Sequence, residues 1–288
     1  MSIHTDDNDA TFSSDATVDV PDNGYNLHRR IHDSKGMAYL GRQKARSFSV
    51  NIFKMNAKEL KDMLELLENP KIGLALMAEN NRDAGHQAHR EVNRYVHNFV
   101  ASAMTLVEHT RIFIRREYSN TPLATMYQAK IDKEIRNDEL CKFVQDFRNY
   151  MLHRELPNSE MFVSYTKTED GGMINTGVVY KVENLKNWDG WTVPSKGFLE
   201  KQGENLNLRE IAVKYEEKVL KLHDWLEEAL NEHHRDELEE LYALQEEYNA
   251  KYPSSDGNED DDEEPVRGSS AQINEESIGS GLFVTVSV

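Results

Sequence analysis

The chain has 288 residues, 30% of them charged and 38% hydrophobic, with 34 Lys plus Arg against 51 Asp plus Glu and a net charge of −17. That length suits one large domain or two small ones, and the low hydrophobic share places part of the chain outside any core. The single Cys141 excludes an intramolecular disulfide framework and a cysteine-built zinc site, and favours a reducing compartment.

The charge is uneven: residues 1–25 carry −6, residues 206–252 carry −7 and residues 253–288 carry −8, which leaves residues 26–205 at +4. A balance of that size permits contact with phosphate without demanding it. Residues 1–24 are acidic and polar, carry no Lys or Arg where a signal peptide needs them, and are predicted to be disordered. The longest apolar run, residues 99–107, is half the length a bilayer needs, so the prediction is a soluble, cytoplasmic protein with no membrane partner.

In chain order, residues 47–53 (SFSVNIF) alternate as a strand would, and Asn56 then reads as the cap of a helix through Leu60, Met63, Leu64 and Leu67. A long helix follows over about 83–117, with apolar residues at three- and four-residue steps. Its Val96/Val100 and Phe99/Ala103 make a stripe wider than one packing partner requires, which predicts a homodimer through this helix. Thr121-Pro122 opens the next helix, which breaks near Asn137-Asp138 and resumes through Leu140, Val144, Phe147 and Met151 until Pro157 forbids it.

The period then changes to two. Residues 161–167 and 176–182 flank Glu169-Asp170-Gly171-Gly172, a hairpin signature, with Trp188 and Trp191 in a loop or short helix after it. From Asn207 another long helix carries Ile211, Tyr215, Val219, Leu222, Leu226 and Leu230 on one stripe. It extends toward Tyr252 along faces that are mostly Glu. The acidic tail 253–288 is predicted to be disordered, except that its last seven residues (LFVTVSV) form a β-prone apolar strip suited to adding to a sheet edge. The predicted architecture is therefore mainly α: an up-and-down helical bundle over 25–252, with a small β-hairpin inserted at about 158–205 and disordered acidic tails.

Phosphate-loop, dinucleotide, zincin and hydrolase-elbow patterns are absent from the sequence. His86, His89 and His97 lie near one line of the 83–117 helix and His28 and His32 are four apart, but no acid or further His is assigned to them, and a solvated polar face accounts for each. The informative segment is residues 147–154 (FRNYMLHR). Arg148 keeps its charge at any ordinary pH, while His153 changes charge near neutrality, so the two suit holding a phosphodiester and moving a proton on it. Five helical residues turn the side chain by about 140°, so the pair converges only if the helix loosens before His153 or if the phosphate lies across a dimer interface. A purely structural account pairs Arg148 with Glu155 or Asp146 and His153 with the helix carbonyls.

Arg148-Asn149-x3-His153 at a helix end resembles the R-x4-6-H motif of the HEPN superfamily, the higher eukaryotes and prokaryotes nucleotide-binding domains. The resemblance covers residues 84–155, and by architecture 206–230. It implies a helical bundle that dimerises and a metal-independent endoribonuclease of the kind found in toxin–antitoxin, abortive-infection and defence systems. It also implies an RNA substrate, an antitoxin or other protein partner, and no cofactor or metal. By position, Arg148 becomes the phosphate-binding arginine, Asn149 the polar residue after it and His153 the catalytic histidine. Arg82/His89 and Arg90/His97 fit the same spacing but lack the aromatic anchors Phe147 and Tyr150 and the helix stop at Pro157. Arg154, with Arg111 and Arg115 at the end of the 83–117 helix, are candidates for RNA backbone contact, against the plainer role of cations at a helix C-terminus. The alternative function is a catalytically inactive helical protein–protein interaction module.

Overall fold

A seam of large side chains at seven-residue steps organises the molecule. Tyr39, Arg46, Phe53, Leu60 and Leu67, with Ala57 and Leu64 between them, are all buried on one face of a single 34-residue helix, Lys35–Glu68. In the computed structural model, which describes residues 24–168 and 171–253, this helix is α2, preceded by α1 (Tyr25–His32). Residues 47–53 are thus helical, which corrects the predicted strand. Phe53 points into the core while Phe48 and Ile52, 67% and 41% exposed, point out of it, so the apparent alternation belongs to two helix faces. Asn56 caps nothing; its side chain donates to the Ile52 carbonyl one turn back (2.8 Å).

Beyond α2 come α3 (Pro70–Met77), a 3-10 turn (Glu79–Asn81) and the 37-residue α4 (Arg82–Tyr118). α4 runs antiparallel to α2: Arg42 lies near Glu117 (3.8 Å), Ser49 hydrogen-bonds His109 (2.8 Å) and Phe53 meets Phe99 (5.7 Å between ring centres). Val96, Phe99, Val100 and Ala103 are each at most 3% exposed within this one chain. The surface predicted to hold a second subunit is therefore consumed internally, because α2 and the later helices cover α4 on two sides.

Thr121 caps α5 (Pro122–Glu134) by accepting from the Ala124 amide, and Asp138 caps α6 (Glu139–His153) by accepting from the Cys141 amide. The hairpin is β1 (Ser159–Thr168) against β2 (Gly171–Lys181), with Val163 opposite Thr176 and Tyr165 opposite Ile174. The expected insertion is present, and its base packs into the core. A third strand, β3 (Asn205–Asn207), pairs with its base, and Val178, Tyr180 and Leu206 pack into the main apolar cluster. Between the strands lie α7 (Val182–Lys186) and α8 (Val193–Lys201).

The long helix after Asn207 is two helices, α9 (Leu208–His233) and α10 (Arg235–Lys251), hinged at His234. α9 is also antiparallel to α2, through Tyr39–Asn231, Arg46–His223 and Lys61–Glu216. Among the described residues the chain is mainly helical, with one small antiparallel sheet, and no helix is long and apolar enough to cross a membrane. The acidic tails and the 282–288 strip lie outside the described residues.

Candidate functional site

α6 carries the predicted motif, and its two faces differ sharply. Its inner face is aromatic: Phe143 stacks on Phe198 (4.7 Å) and Trp191 (5.4 Å), Phe147 approaches Tyr180 (6.0 Å), and Tyr150 stacks on Trp191 (5.7 Å). Trp191 can be buried at this point because its indole Nε1 donates to the Leu185 carbonyl (2.7 Å). Within this apolar wall sits one carboxylate, Asp146, 5% exposed. It accepts from the Thr192 amide (2.9 Å), the Thr192 hydroxyl (2.6 Å) and the Ser195 hydroxyl (2.6 Å). Asp146 therefore caps α8 from another helix, since Thr192 makes no side-chain cap of its own.

The outer face carries Gln145, Arg148, Asn149, Leu152 and His153. Arg148 and His153 are exposed, Asn149 is half-buried, and none of the three side chains has a hydrogen bond or ion pair among the described residues. The two carboxylates that a structural role for Arg148 would use are engaged elsewhere. Asp146 points inward, and Glu155 accepts from the Tyr150 hydroxyl (3.1 Å) and from Arg154 Nε (3.4 Å).

α6 stays regular to its end, where the Arg154 amide still donates to the Tyr150 carbonyl (2.9 Å). Of the two ways for the motif to converge, loosening of the helix is thus removed. Arg148 and His153 stand about 140° apart around the axis and about 7.5 Å apart along it. Leu152, 50% exposed, lies on the surface between them.

The remaining candidates are dispersed. Arg154 is tied to Glu155, and Arg111 to Glu108 (2.7 Å); Arg115 is exposed. The Tyr180 hydroxyl donates to Asn93, which puts Phe147 beside the first third of α4, and Arg111 lies a further ~27 Å along that helix. The structure does not bring Arg111 or Arg115 to Arg148 within one chain. In the competing pairs, His89 is held by the Ser159 hydroxyl (2.8 Å) and Arg90 by Gln87. No group of three His, Cys, Asp or Glu side chains among the described residues is placed to hold a metal ion.

Sequence reasoning missed a second arginine–histidine pair. Arg46 Nη1 donates to His223 Nδ1 (3.3 Å) and Arg46 Nη2 to Glu227 (3.3 Å), while Arg46 Nε is buried with no partner. Burial, and then the adjacent guanidinium, push the His223 imidazole down to about 4, so it stays neutral and accepts the Arg46 proton at Nδ1. The signal was present as polar residues at core positions: Arg46 falls on the seven-residue seam, and His223 takes the buried place assigned to Leu222. Nearby, His234 at the α9–α10 hinge joins the Tyr118 hydroxyl (2.9 Å) to Glu237 and stacks on Tyr39 (4.2 Å). Comparison with protein-family models, curated proteins and solved structures returns no match to this chain.

Proposed function

We propose that the outer face of α6 binds a phosphodiester and that two copies of the chain complete a metal-independent RNA-cleaving site, Arg148 from one copy facing His153 of the other. One observation carries this reading: Arg148 is a solvated guanidinium with no carboxylate partner among the described residues, on a helix whose inner face is fixed by aromatic packing and by Asp146. An unpaired arginine on a rigid element is pre-organised for a tetrahedral anion. Leu152 and Leu156, 50% and 55% exposed, offer apolar surface beside the motif for the second copy.

In this reading the substrate's own 2′-hydroxyl attacks the adjacent phosphorus, the 5′-oxygen leaves, and a 2′,3′-cyclic phosphate remains. His153 moves the proton and Arg148 balances the charge that grows on the phosphoryl oxygens. A toxin or defence role with an antitoxin partner goes with the same reading.

The test is complementation. Arg148→Ala and His153→Ala should each lower RNA cleavage by about a hundredfold or more. Mixed dimers of the two variants should recover about half of the parent rate, because one of their two composite sites is intact. Cleavage should survive excess EDTA and leave 2′,3′-cyclic ends. Two inactive variants that stay inactive when mixed, or an inactive parent across several RNA pools, sink the proposal. The second reading, an interaction module without catalysis, is favoured by the exposed stripe Phe48, Ile52 and Met55 on α2.

A further inference from the structure

β1 is the outer strand of the sheet order β1-β2-β3, so its far edge has no strand partner among the described residues. β3 reaches only the hairpin base, between Val179 and Lys181. Beyond it the hairpin continues as a two-stranded ribbon in which Val163, Tyr165, Met173 and Ile174 are between 41% and 68% exposed. The register puts Val163, Tyr165 and Ile174 on one face. That face continues from Thr176, which is buried where its hydroxyl donates to the Leu67 carbonyl (2.9 Å). An isolated two-stranded ribbon is marginal in water, and a third strand is the ordinary remedy. Natural edges are guarded by charge or proline; β1 carries Glu160 and Lys167 near its two ends, and residues 161–166 (MFVSYT) between them contain neither.

We propose that residues 282–288 of the same chain add to the free edge of β1 as an additional strand. Their sequence, LFVTVSV, alternates with period two, placing Leu282, Val284, Val286 and Val288 on one face and Phe283, Thr285 and Ser287 on the other. Laid beside Val163 and Tyr165, the aliphatic face extends the apolar surface of the ribbon, and seven residues span about 23 Å of edge.

The length of the intervening chain favours the molecule's own strip over that of a second copy. The tail leaves the end of α10, where Tyr252 packs on Gly24 ahead of α2, whereas the hairpin meets α2 at Leu67. Leu241 lies at Gly36, about 47 Å along α2 from Leu67, and α10 runs on past it to Tyr252, so the span to be crossed is about 60 Å. Twenty-eight residues, 254–281, separate Pro253 from the strip, and any chain of that length reaches at most about 95 Å, while a flexible one has a root-mean-square span of roughly 30 Å. The strip is then present at the edge at an effective concentration on the order of 10 µM, above that of a second copy at micromolar protein or below.

Hydrogen–deuterium exchange on the full chain, parent against the Val284→Pro/Val286→Pro double variant, tests this. The β1 amides that do not donate to β2 should exchange about tenfold faster or more in the variant, and their protection in the parent should be the same from about 0.1 to about 5 µM. Equal exchange over 159–167 in the two chains overturns the proposal. Protection that grows with concentration together with a dimer mass overturns it in favour of a second copy. A change confined to the Phe48–Ile52–Met55 stripe overturns it in favour of another surface.

Discussion

Between α2 and α9, Arg46 and His223 are in contact and out of water; on α6, Arg148 and His153 are in water and out of contact. The first pair has the geometry for proton chemistry without access, and the second has access without geometry. The difference follows from where each arginine falls on its helix. Arg46 occupies a core position of the α2 seam, where a charge must be compensated by whatever faces it, here a neutral imidazole and Glu227. Arg148 lies on the far side of α6 from the aromatic cluster, where no compensation is required and the charge remains available. An arginine–histidine spacing thus says little until burial is known.

The comparison breaks first at Arg46. Arg46→Ala leaves His223 and Glu227 beside a void and should lower unfolding free energy in urea by about 3 kcal/mol. Arg46→Met, which fills the space without charge, should stay within about 1 kcal/mol of the parent. If Met loses as much as Ala, the guanidinium's polar contacts matter more than its volume.

A comparable effect should appear with pH. The folded chain holds His223 at about 4 against the ordinary 6.5, so between those values the unfolded chain binds the extra proton. Stability is therefore complete above pH 6.5 and falls as pH drops toward 4, by up to about 3 kcal/mol. His89, also pushed down by burial, acts in the same sense. In His223→Gln this part of the acid-side slope should flatten; a parent-like slope would assign it to other groups.

The smallest effect is expected at Arg148. Arg148→Ala should shift unfolding by no more than about 0.5 kcal/mol, as for an exposed side chain without partners. A loss above about 1 kcal/mol would make the outer face of α6 structural and remove the contrast with Arg46.

The legible parts of the fold are those fixed by local spacing and caps: the α4 stripe, Thr121-Pro122, Asp138, the stop before Pro157 and the Gly171-Gly172 hairpin. Residues 47–53 misled because a seven-residue window cannot separate period two from two helix faces, and because Arg46 interrupts the seam that would have revealed α2. At the site, the spacing of Arg148 and His153 was readable, and so was their exposure at a helix end. That Asp146 would leave Arg148 alone was not, since its partners Thr192 and Ser195 come from a segment more than forty residues later. The dimer surface on α4 was misassigned for a related reason: stripe width says how much a helix buries, and the burying neighbours here belong to the same chain.

Asp146 has one further consequence. A helix held only by stacked rings can roll about its long axis, because flat apolar surfaces slide with little penalty. Three donors converging on a single carboxylate act as a key in a slot and forbid that roll. Arg148 comes two residues later, some 160° around the barrel of the helix, and so inherits a fixed bearing from a side chain it never touches.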